Sequence, residues 1–579
     1  MKKHYDLVVL GGGAAGMTAA LVGAIEGLRV LLIEKSAQLG GTSARSAGTL
    51  WIPGNFSMAA NEAQNDIDAA RAYLDALVQN RSPAIMREAF LTQGPVMLTY
   101  LQERTAIRFK PCPRHADYHP DLPGAQTGGR PVEPEIFDGR NLAGSFDLLR
   151  PPITEFMVFG GMMVSKADID LLLKAGRSLA GTVHALQLGS RYLRDRLRFS
   201  RGTRLTMGNA LCAALLHECQ KHRVEIRTMT NVTEIDRETD RTETANSPEK
   251  PKITSYQLTL QTPLAPRTTA ESTQQITSHN IVFSGGGFSG NPQLRAEHLP
   301  APTPEYTAAF EGADGSSQHL ANNLGAIFGP SCEHNAWWFP SSLVSRADGS
   351  TGVFPHIIMD RAKPGLIAVN AAGQRFVNEG ISYHQFAKAQ YASGAIPCWL
   401  VADARFVRRY GLGIIRPGGS GLASAVARGY VQKATSLEAL ARDIGVDPSG
   451  LIDSARRMTA FASSGIDEDF GKGSDPLSRQ NGDPGAGLPN PGLGRLETPP
   501  FYAVKVVPTD LGTSRGLLTD CSGNLLDNNF QPLTGLYACG NDMQSVMGGQ
   551  YPAPGVTLGP GMTFAYVAAL DIARRLKPR

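Results

Sequence analysis

Three short apolar runs, each followed by glycine within two residues, lie near the start, the middle and the end of the chain. They cover residues 5–10, 281–283 and 535–539. Apolar runs of this length, without the alternation of a half-exposed strand, are typical of strands buried in a parallel sheet. A glycine directly after a strand lets the backbone come close to a ligand. We therefore expect the three strand ends to converge on one ligand.

The first run opens a strand–turn–helix–strand unit. Residues 11–16 read Gly-Gly-Gly-Ala-Ala-Gly, a helix of small residues follows, and a second apolar strand at residues 29–33 ends in an acid. This G-x-G-x-x-G pattern predicts dinucleotide binding: the glycines allow a tight turn, close approach of a pyrophosphate and close helix–strand packing, and the acid accepts ribose hydroxyls. The contacts expected here are Gly11, Gly13, Ala14, Ala15, Gly16, Glu34 and Lys35.

A second segment rich in glycine and serine, residues 40–48, follows the acid directly. In flavoproteins of the glutathione-reductase-like fold, such a segment continues along the pyrophosphate and ribitol, which favours FAD over NAD. A strand near residues 224–232 is expected beside the adenine, and the glycines at 285–287 are expected near the cofactor. The contacts expected from these segments are Gly41, Thr42, Ser43, Ser46, Gly48, Val232, Gly286 and Gly287.

The last apolar run leads through a turn rich in glycine and proline, residues 549–561, into an apolar helix. Backbone N–H groups at such a helix start point at whatever lies above it, and a reduced flavin ring carries the negative charge that they stabilise. The Tyr551 hydroxyl and the Gly555 N–H could together hold an oxyanion; the alternative is a tight turn with a buried tyrosine. The cofactor contacts expected here are Gly540, Asn541, Thr557 and Leu558.

Composition narrows the class of protein. The net charge of +4 is too small to indicate a nucleic-acid partner. The seven cysteines have no C-x-x-C spacing, so we expect reduced thiols and neither a disulfide framework nor a metal site. The start of the chain enters a strand at once, and no apolar run is long enough to span a bilayer, so we expect a cytoplasmic protein.

The length of 579 residues predicts two or three domains. We predict an α/β protein with a Rossmann-like, glutathione-reductase-type FAD-binding domain and an inserted α+β catalytic or cap domain. The predicted FAD-binding domain covers residues 1–295, the cap domain covers residues 296–490, and residues 491–579 return to the FAD-binding domain.

With these features the chain resembles the fumarate reductase/succinate dehydrogenase flavoprotein superfamily over nearly its whole length. Within that superfamily it resembles the long form of the 3-ketosteroid Δ1-dehydrogenases. The closer resemblance rests on three local patterns, at residues 117–124, 375–383 and 549–555. It implies an active site formed by Tyr118, Tyr383, Tyr551 and Gly555.

The resemblance implies an FAD-dependent enzyme of steroid degradation that removes hydrogens from C1 and C2 of a 3-oxosteroid A ring. Tyr551 and the Gly555 N–H would bind the C3 oxygen. Tyr383, as phenolate, would take the C2 proton, Tyr118 would share the charge or relay the proton, and the flavin would take the hydride at N5. Since a free tyrosine has a pKa of about 10, we expect the pKa of Tyr383 to be lowered. An external acceptor, a quinone or another oxidant, would then receive the electrons.

Related enzymes carry residues that this chain lacks. Succinate dehydrogenases attach FAD through a histidine in the segment that matches residues 42–48, where this chain has none, so we expect non-covalent FAD. No cation that would grip a dicarboxylate lies beside Tyr383 in sequence, and burying unpaired charges is costly. An ene-reductase of the fumarate reductase type and a respiratory flavin subunit are therefore disfavoured. A 3-ketosteroid Δ4-dehydrogenase remains the near alternative.

Residues 145–205 form an insertion that the minimal fold does not require. Apolar residues at helical spacing stand beside a cluster of arginines, which is the pattern of an interfacial element on anionic lipid. We predict that this insertion contacts the inner face of the cytoplasmic membrane. The alternatives are a dimer interface and an ordinary amphipathic surface helix.

Overall fold

Two large β-sheets with helices packed against them build most of the protein. The computed structural model describes residues 3–165, 168, 171–172, 174–176, 178–239, 253–263, 271–357 and 360–577. Its strands are, in chain order, β1 (Lys3–Leu10), β2 (Val30–Ile33), β3 (Leu50–Trp51), β4 (Phe109–Pro111), β5 (Pro131–Pro134), β6 (Phe137–Asp138), β7 (Arg204–Leu205), β8 (Glu225–Arg227), β9 (Asn231–Thr239), β10 (Ile253–Pro263), β11 (Glu271–Phe283), β12 (Ala336–Ser345), β13 (Thr351–Pro355), β14 (Leu366–Val369), β15 (Cys398–Asp403), β16 (Val431–Ala434), β17 (Phe501–Thr513), β18 (Asn524–Leu526) and β19 (Pro532–Ala538).

Helices connect and cover the strands. They are, in chain order, α1 (Ala14–Ile25), α2 (Ala60–Val78), α3 (Ala84–Arg104), α4 (Leu179–Asp195), α5 (Met207–Lys221), α6 (Pro292–His298), α7 (Ser316–Asn323), α8 (Tyr383–Ser393), α9 (Ala404–Tyr410), α10 (Leu422–Ala427), α11 (Leu437–Ile444), α12 (Pro448–Ser464), α13 (Pro476–Asn481) and α14 (Leu558–Leu576).

The first sheet runs in the order β18-β19-β11-β1-β2-β8, and its strands from β19 to β8 are parallel neighbours. Helix α1 packs against α14 and α5. Its buried side is rich in glycine and alanine, so the helices can approach each other closely. This arrangement confirms the predicted Rossmann-like α/β fold.

The three strands that end in glycine lie side by side. Leu10 is paired with Phe283, and Phe283 is paired with Ala538, so β1, β11 and β19 finish at the same level. Because parallel strands expose their carboxyl ends at one edge of a sheet, ligands of such folds bind there. The expected convergence of the three strand ends is confirmed.

The second sheet is antiparallel, in the order β13-β12-β17-β15-β14, with β16 also paired to β17. We expected the chain to return to the first domain at residue 491, but β17 pairs with β12, β15 and β16. The backbone hydrogen bonds of β17 are therefore made within the second sheet. We propose that the inserted domain extends to residue 513.

In the described ranges, no helix combines the length and the apolar character needed to cross a bilayer. Part of the predicted insertion, residues 166–167, 169–170, 173 and 177, lies outside the described residues.

Candidate active site

Helix α8 places Tyr383 in the interior. Tyr383 is the first residue of the helix, and the Ser382 side chain caps the helix by accepting a hydrogen bond from the Gln385 N–H. The Tyr383 hydroxyl donates a hydrogen bond of 2.9 Å to the Tyr551 hydroxyl, and both side chains are buried. The two predicted residues, 168 positions apart, therefore meet directly.

The turn before α14 requires glycine at position 555. Gly555 has φ +100°, and a Cβ there would lie 2.6 Å from the backbone nitrogen of Trp51. The Gly555 carbonyl accepts a hydrogen bond from that nitrogen, which ties the turn to β3. Its own N–H donates to no acceptor in the described parts of the chain, so it is available to an oxyanion.

The loop that carries Tyr118 is fixed from two sides. The Tyr118 N–H donates to the Pro552 carbonyl at 2.7 Å, which joins this loop to the turn of Tyr551. The preceding residue, Asp117, is buried and accepts hydrogen bonds from Arg130 Nη1 and Trp51 Nε1. A buried carboxylate that is paired in this way holds the loop in one geometry.

The three tyrosine rings form one cluster. Centroid distances are 5.4 Å from Tyr118 to Tyr383, 5.8 Å from Tyr118 to Tyr551 and 5.3 Å from Tyr383 to Tyr551. Phe339 closes the far side, 4.5 Å from the Tyr383 ring. The predicted catalytic tyrosines are thus brought together.

The electrostatics of this cluster differ from our expectation. Burial raises the pKa of Tyr383 well above its ordinary value, and the neighbouring hydroxyls of Tyr118 and Tyr551 raise it further. Burial likewise raises the pKa of Tyr118, and it raises the pKa of Tyr551 to about 12. The predicted lowering for Tyr383 is wrong, because a phenolate loses its hydration in these apolar surroundings.

One cavity of about 800 Å³ joins the tyrosines to the glycine-rich turns. Gly16 lies outside its lining: a Cβ there would lie 1.9 Å from the Gly11 carbonyl oxygen, so Gly16 serves close packing. All other predicted site residues line the cavity, namely Gly11, Gly13, Ala14, Ala15, Glu34, Lys35, Gly41, Thr42, Ser43, Ser46, Gly48, Tyr118, Val232, Gly286, Gly287, Tyr383, Gly540, Asn541, Tyr551, Gly555, Thr557 and Leu558.

Two helix N-termini face this cavity. Helix α1 begins after Gly13 and α14 begins after Thr557; neither N-cap residue supplies a side-chain cap, and neither first turn contains an acid. Such ends carry partial positive charge and free N–H donors. They fit the two places where FAD carries negative charge, the pyrophosphate and the reduced ring.

Glu34, the acid that follows β2, lies at the same edge of the first sheet and holds the neighbouring turns by hydrogen bonds. Glu34 accepts hydrogen bonds from the Gly12 N–H through one oxygen and from Ser36 through the other. Its neighbour Lys35 forms an ion pair of 2.5 Å with Asp314. A carboxylate oxygen accepts more than one hydrogen bond, so Glu34 can still bind a ribose hydroxyl.

Several cavity residues were missed from the sequence. The clearest is the start of α7, where Asp314 and Ser317 enter the lining. Asp542, directly after the predicted Gly540 and Asn541, is buried outside the lining and accepts hydrogen bonds from Gly285, Gly287 and Ser317, which do line the cavity. Its position after the third apolar run was a usable signal, whereas the segment before α7 shows no motif.

Comparison with known proteins gives the same picture. A family model described as FAD binding domain matches residues 6–558. A 3-oxosteroid 1-dehydrogenase of Mycolicibacterium smegmatis is 34% identical, over 99% of this chain and 97% of its own. A 4-oxocyclohex-2-ene-1-carboxylate 5-dehydrogenase of Sinomonas cyclohexanicum is 32% identical, over 99% of this chain and 94% of its own.

A solved structure agrees over the full length. The 3-ketosteroid Δ1-dehydrogenase of Sterolibacterium denitrificans, in complex with 1,4-androstadiene-3,17-dione, superposes with a TM-score of 0.86 at 32% identity. It covers 99% of this chain and 100% of its own. The prediction of an FAD-dependent enzyme is confirmed. The chain belongs to the FAD-binding domain family and, within it, to the branch that contains the 3-oxosteroid 1-dehydrogenases.

Proposed function

We propose that the protein is a 3-ketosteroid Δ1-dehydrogenase, which removes hydrogens from C1 and C2 of a 3-oxosteroid A ring. The observation that carries this proposal is the meeting of Tyr118, Tyr383, Tyr551 and Gly555 in the cavity of the glycine-rich turns. The names of the relatives support the same reaction.

In the proposed reaction, the Tyr551 hydroxyl and the Gly555 N–H bind the C3 oxygen and stabilise the charge that develops there. Tyr383 removes the proton from C2 as a general base. Tyr118, beside it, receives part of the charge. Bound FAD supplies the hydride acceptor for C1. Phe339, whose ring packs against Tyr383, lines the cavity beside the proposed base.

The cavity beyond the tyrosines suits an extended apolar substrate. Ile153, Phe156, Phe339, Pro355 and Ile357 all line it. Burying apolar rings against such side chains is favourable by about 25 cal/mol per Å². A single-ring ketone, such as the name of the Sinomonas relative indicates, would leave much of this wall uncovered.

The test is an anaerobic reduction of the purified flavoprotein. Androst-4-ene-3,17-dione should bleach the flavin and give a 1,4-diene. Bleaching by the 5α-saturated ketone alone would instead indicate a Δ4-dehydrogenase. Bleaching by 4-oxocyclohex-2-ene-1-carboxylate alone would indicate the activity in the name of the Sinomonas relative. No bleaching with any of them would overturn the assignment.

Tyr551→Phe should lower the rate of anaerobic flavin reduction by about 10²–10³-fold, because one of two donors to the C3 oxygen is lost. The measurement is stopped-flow absorbance at saturating steroid. Tyr537→Phe is the matched control, since it removes a fully buried hydroxyl bonded to Asp571, away from the cavity. Equal losses in the two variants would argue against an oxyanion role.

The rate of flavin reduction should rise with pH. The base must be deprotonated, and burial first, then the neighbouring hydroxyls, raise the pKa of Tyr383. Below that pKa the fraction of phenolate grows about tenfold per pH unit, so log rate against pH should have a slope near +1. A profile that stays flat between about pH 6 and pH 9 would show that Tyr383 is not the base.

We also propose how the cofactor is held and reoxidised. FAD is bound without a covalent link, because residues 42–48 contain no histidine, and acid precipitation should release it intact. The electrons leave to an external acceptor, a quinone or another small oxidant.

We propose further that residues 145–205 contact the inner face of the cytoplasmic membrane. Helix α4 exposes an apolar stripe that includes Leu186, Leu193 and the following Leu197, which is 84% exposed. Phe159, 77% exposed, lies beside it, since its carbonyl accepts a hydrogen bond from Tyr192. Exposed apolar groups of this kind are typical of interfacial helices.

The charge and the position of this stripe support a contact with lipid. Arg194, Arg196 and Arg198 are exposed at the end of α4, and each would add about 1 kcal/mol on an anionic surface. Ile153 and Phe156 of the same insertion line the cavity, so a steroid dissolved in lipid would enter near the membrane.

Leu193→Ser combined with Leu197→Ser should abolish flotation of the protein with vesicles that contain phosphatidylserine. The control is Phe530→Ser, which removes an exposed aromatic side chain on a turn outside the insertion. Unchanged flotation of the double variant would refute the lipid contact, and a change in oligomeric state instead would indicate a subunit interface.

A further inference from the structure

Arg361 is completely buried and packs against helix α8, which begins with Tyr383. Its Nε donates to the His356 carbonyl at 2.9 Å, and its Nη1 donates to the Glu379 carbonyl at 2.6 Å. Its guanidinium stands 5.3 Å from the ring of Phe386, one turn after Tyr383 on α8. The charge is therefore held against the helix that presents the proposed base.

The guanidinium has no carboxylate partner among the residues that the structure describes. Asp360 is adjacent in sequence, but it binds His356 Nδ1 at 2.6 Å and the Gly413 N–H at 2.9 Å through one oxygen. Its other oxygen accepts the backbone N–H of Arg361, not the side chain. The Arg361 Nη2 makes no hydrogen bond within the described ranges.

A buried cation without an ion pair is costly unless an anion forms nearby during function. The groups that interact electrostatically with this guanidinium include both Tyr118 and Tyr383. Burial lowers the pKa of Arg361 to about 10; Asp360 opposes that effect most, and Tyr118, Glu379 and Tyr383 oppose it as well. In turn, the guanidinium works against the burial that raises the pKa of Tyr118.

We propose that Arg361 is a positioning residue whose unpaired guanidinium stabilises the phenolate formed on the Tyr383–Tyr118 pair. The inference rests on the proposed function, in which Tyr383 is the base. Before turnover the pair loses one proton to solvent, so that phenolate and guanidinium balance. The phenolate then takes the C2 proton and becomes a neutral hydroxyl again.

Other titratable groups lie around the Tyr383–Tyr118 pair. Burial lowers the pKa of His384 well below its ordinary value and the pKa of His119 to about 4, so neither ring supplies a cation at neutral pH. The groups around the pair, from the loop of Tyr118, the segment before β14, helix α8 and the turn before α14, are Tyr118, His119, Asp360, Arg361, Lys363, Glu379, His384, Lys388 and Tyr551.

Two variants with opposite expected effects test the proposal on the flavin-loaded enzyme. Arg361→Gln keeps a hydrogen-bond donor and removes the charge, so flavin reduction at neutral pH should slow by about tenfold or more, as expected for a rise of at least one unit in the pKa of the base. Asp360→Asn removes the anion beside the guanidinium, so the same rate should increase. A merely structural role of this segment would slow both variants.

Arg361→Lys is the conservative control and should recover most of the rate, because it keeps the charge. A second readout does not depend on turnover: the tyrosinate absorbance titration, taken as the difference between each protein and its Tyr383→Phe derivative. In Arg361→Gln this titration should move to higher pH, and in Asp360→Asn it should move to lower pH.

Unmoved titrations, with wild-type enzyme still active, would overturn the role of Arg361 and leave the proposed function standing. A wild-type enzyme that no steroid reduces would refute the proposed function itself. Should Arg361→Gln fail to retain flavin, Asp360→Asn decides: a faster reaction supports the proposal, and an unchanged or slower one rejects it.

Discussion

Tyr383→Phe should lower the rate of anaerobic flavin reduction by about 10³-fold, within the range of 10²–10⁴ that a general base contributes. The phenyl ring keeps the packing against Phe339 and Tyr118, so the loss reports on the hydroxyl alone. The Tyr551 hydroxyl loses its partner at 2.9 Å but stays free to bind the C3 oxygen. Steroid affinity, measured by the spectral change on binding, should therefore be nearly unchanged.

Tyr391→Phe is the matched control for this variant. Tyr391 lies on the same helix, two turns later, and its hydroxyl is outside the cavity of the glycine-rich turns. Its removal should leave the rate within about twofold, as for substitutions away from the site. A Tyr383→Phe enzyme that still reduces its flavin at the control's rate would remove Tyr383 from the mechanism.

Glu379→Gln should lower the unfolding free energy by about 3–5 kcal/mol, which is the usual penalty for removing one partner of a buried ion pair. Glu379 is fully buried and binds Arg375 at 2.9 Å and Lys472 at 3.3 Å. Arg375 also pairs with Asp467. The neutral amide would leave one more buried cation than anion just before α8. Urea denaturation followed by flavin fluorescence measures the loss.

The same variant should change the acid stability. Burial opposes ionisation of Glu379, but Arg375 and Lys472 outweigh it and hold its pKa below the ordinary value. When a carboxyl group has a lower pKa in the folded than in the unfolded state, its ionisation stabilises the folded protein. This stabilisation is fully present above the unfolded-state pKa of about 4.3, and it is lost as the pH falls through the folded-state pKa. As the pH falls through this range, the unfolding free energy of wild type should decrease more steeply than that of Glu379→Gln.

Glu438→Gln serves as the control, because its ion pair with Arg442 is exposed. Surface pairs contribute about 0–1 kcal/mol, so this variant should unfold almost as wild type does. Similar losses in the two glutamine variants would show that the buried network does not stabilise the fold as proposed.

The first sheet was predictable because its signals are local. Strand β1, the glycine turn and α1 follow one another within 25 residues, and the apolar runs of β11 and β19 repeat the pattern. Their parallel pairing follows from the connections between them. The tyrosines were identified through the resemblance of three short segments to a family, not through any physical signal in each segment.

Long-range pairing explains what the sequence did not reveal. Strand β17 is a run of alternating and apolar residues that suits either sheet, and its partners β12 and β15 lie more than 95 residues away. In the sequence, Arg361 is a charged residue before a strand and shows no sign of being buried. Its burial, and the engagement of Asp360 by His356, exist only in the folded chain.

The cavity that joins the tyrosines to the glycine-rich turns takes its walls from Leu10 at one end of the chain to Gly561 at the other. A ribosome must therefore finish residue 561 before the cofactor has every contact. The β1–α1 unit, with its anion-binding turn, is synthesised early, whereas β19 and α14, which complete the site, are synthesised last. Complete contact with the cofactor is thus reached only late in biosynthesis, and a chain truncated before α14 would lack part of the site.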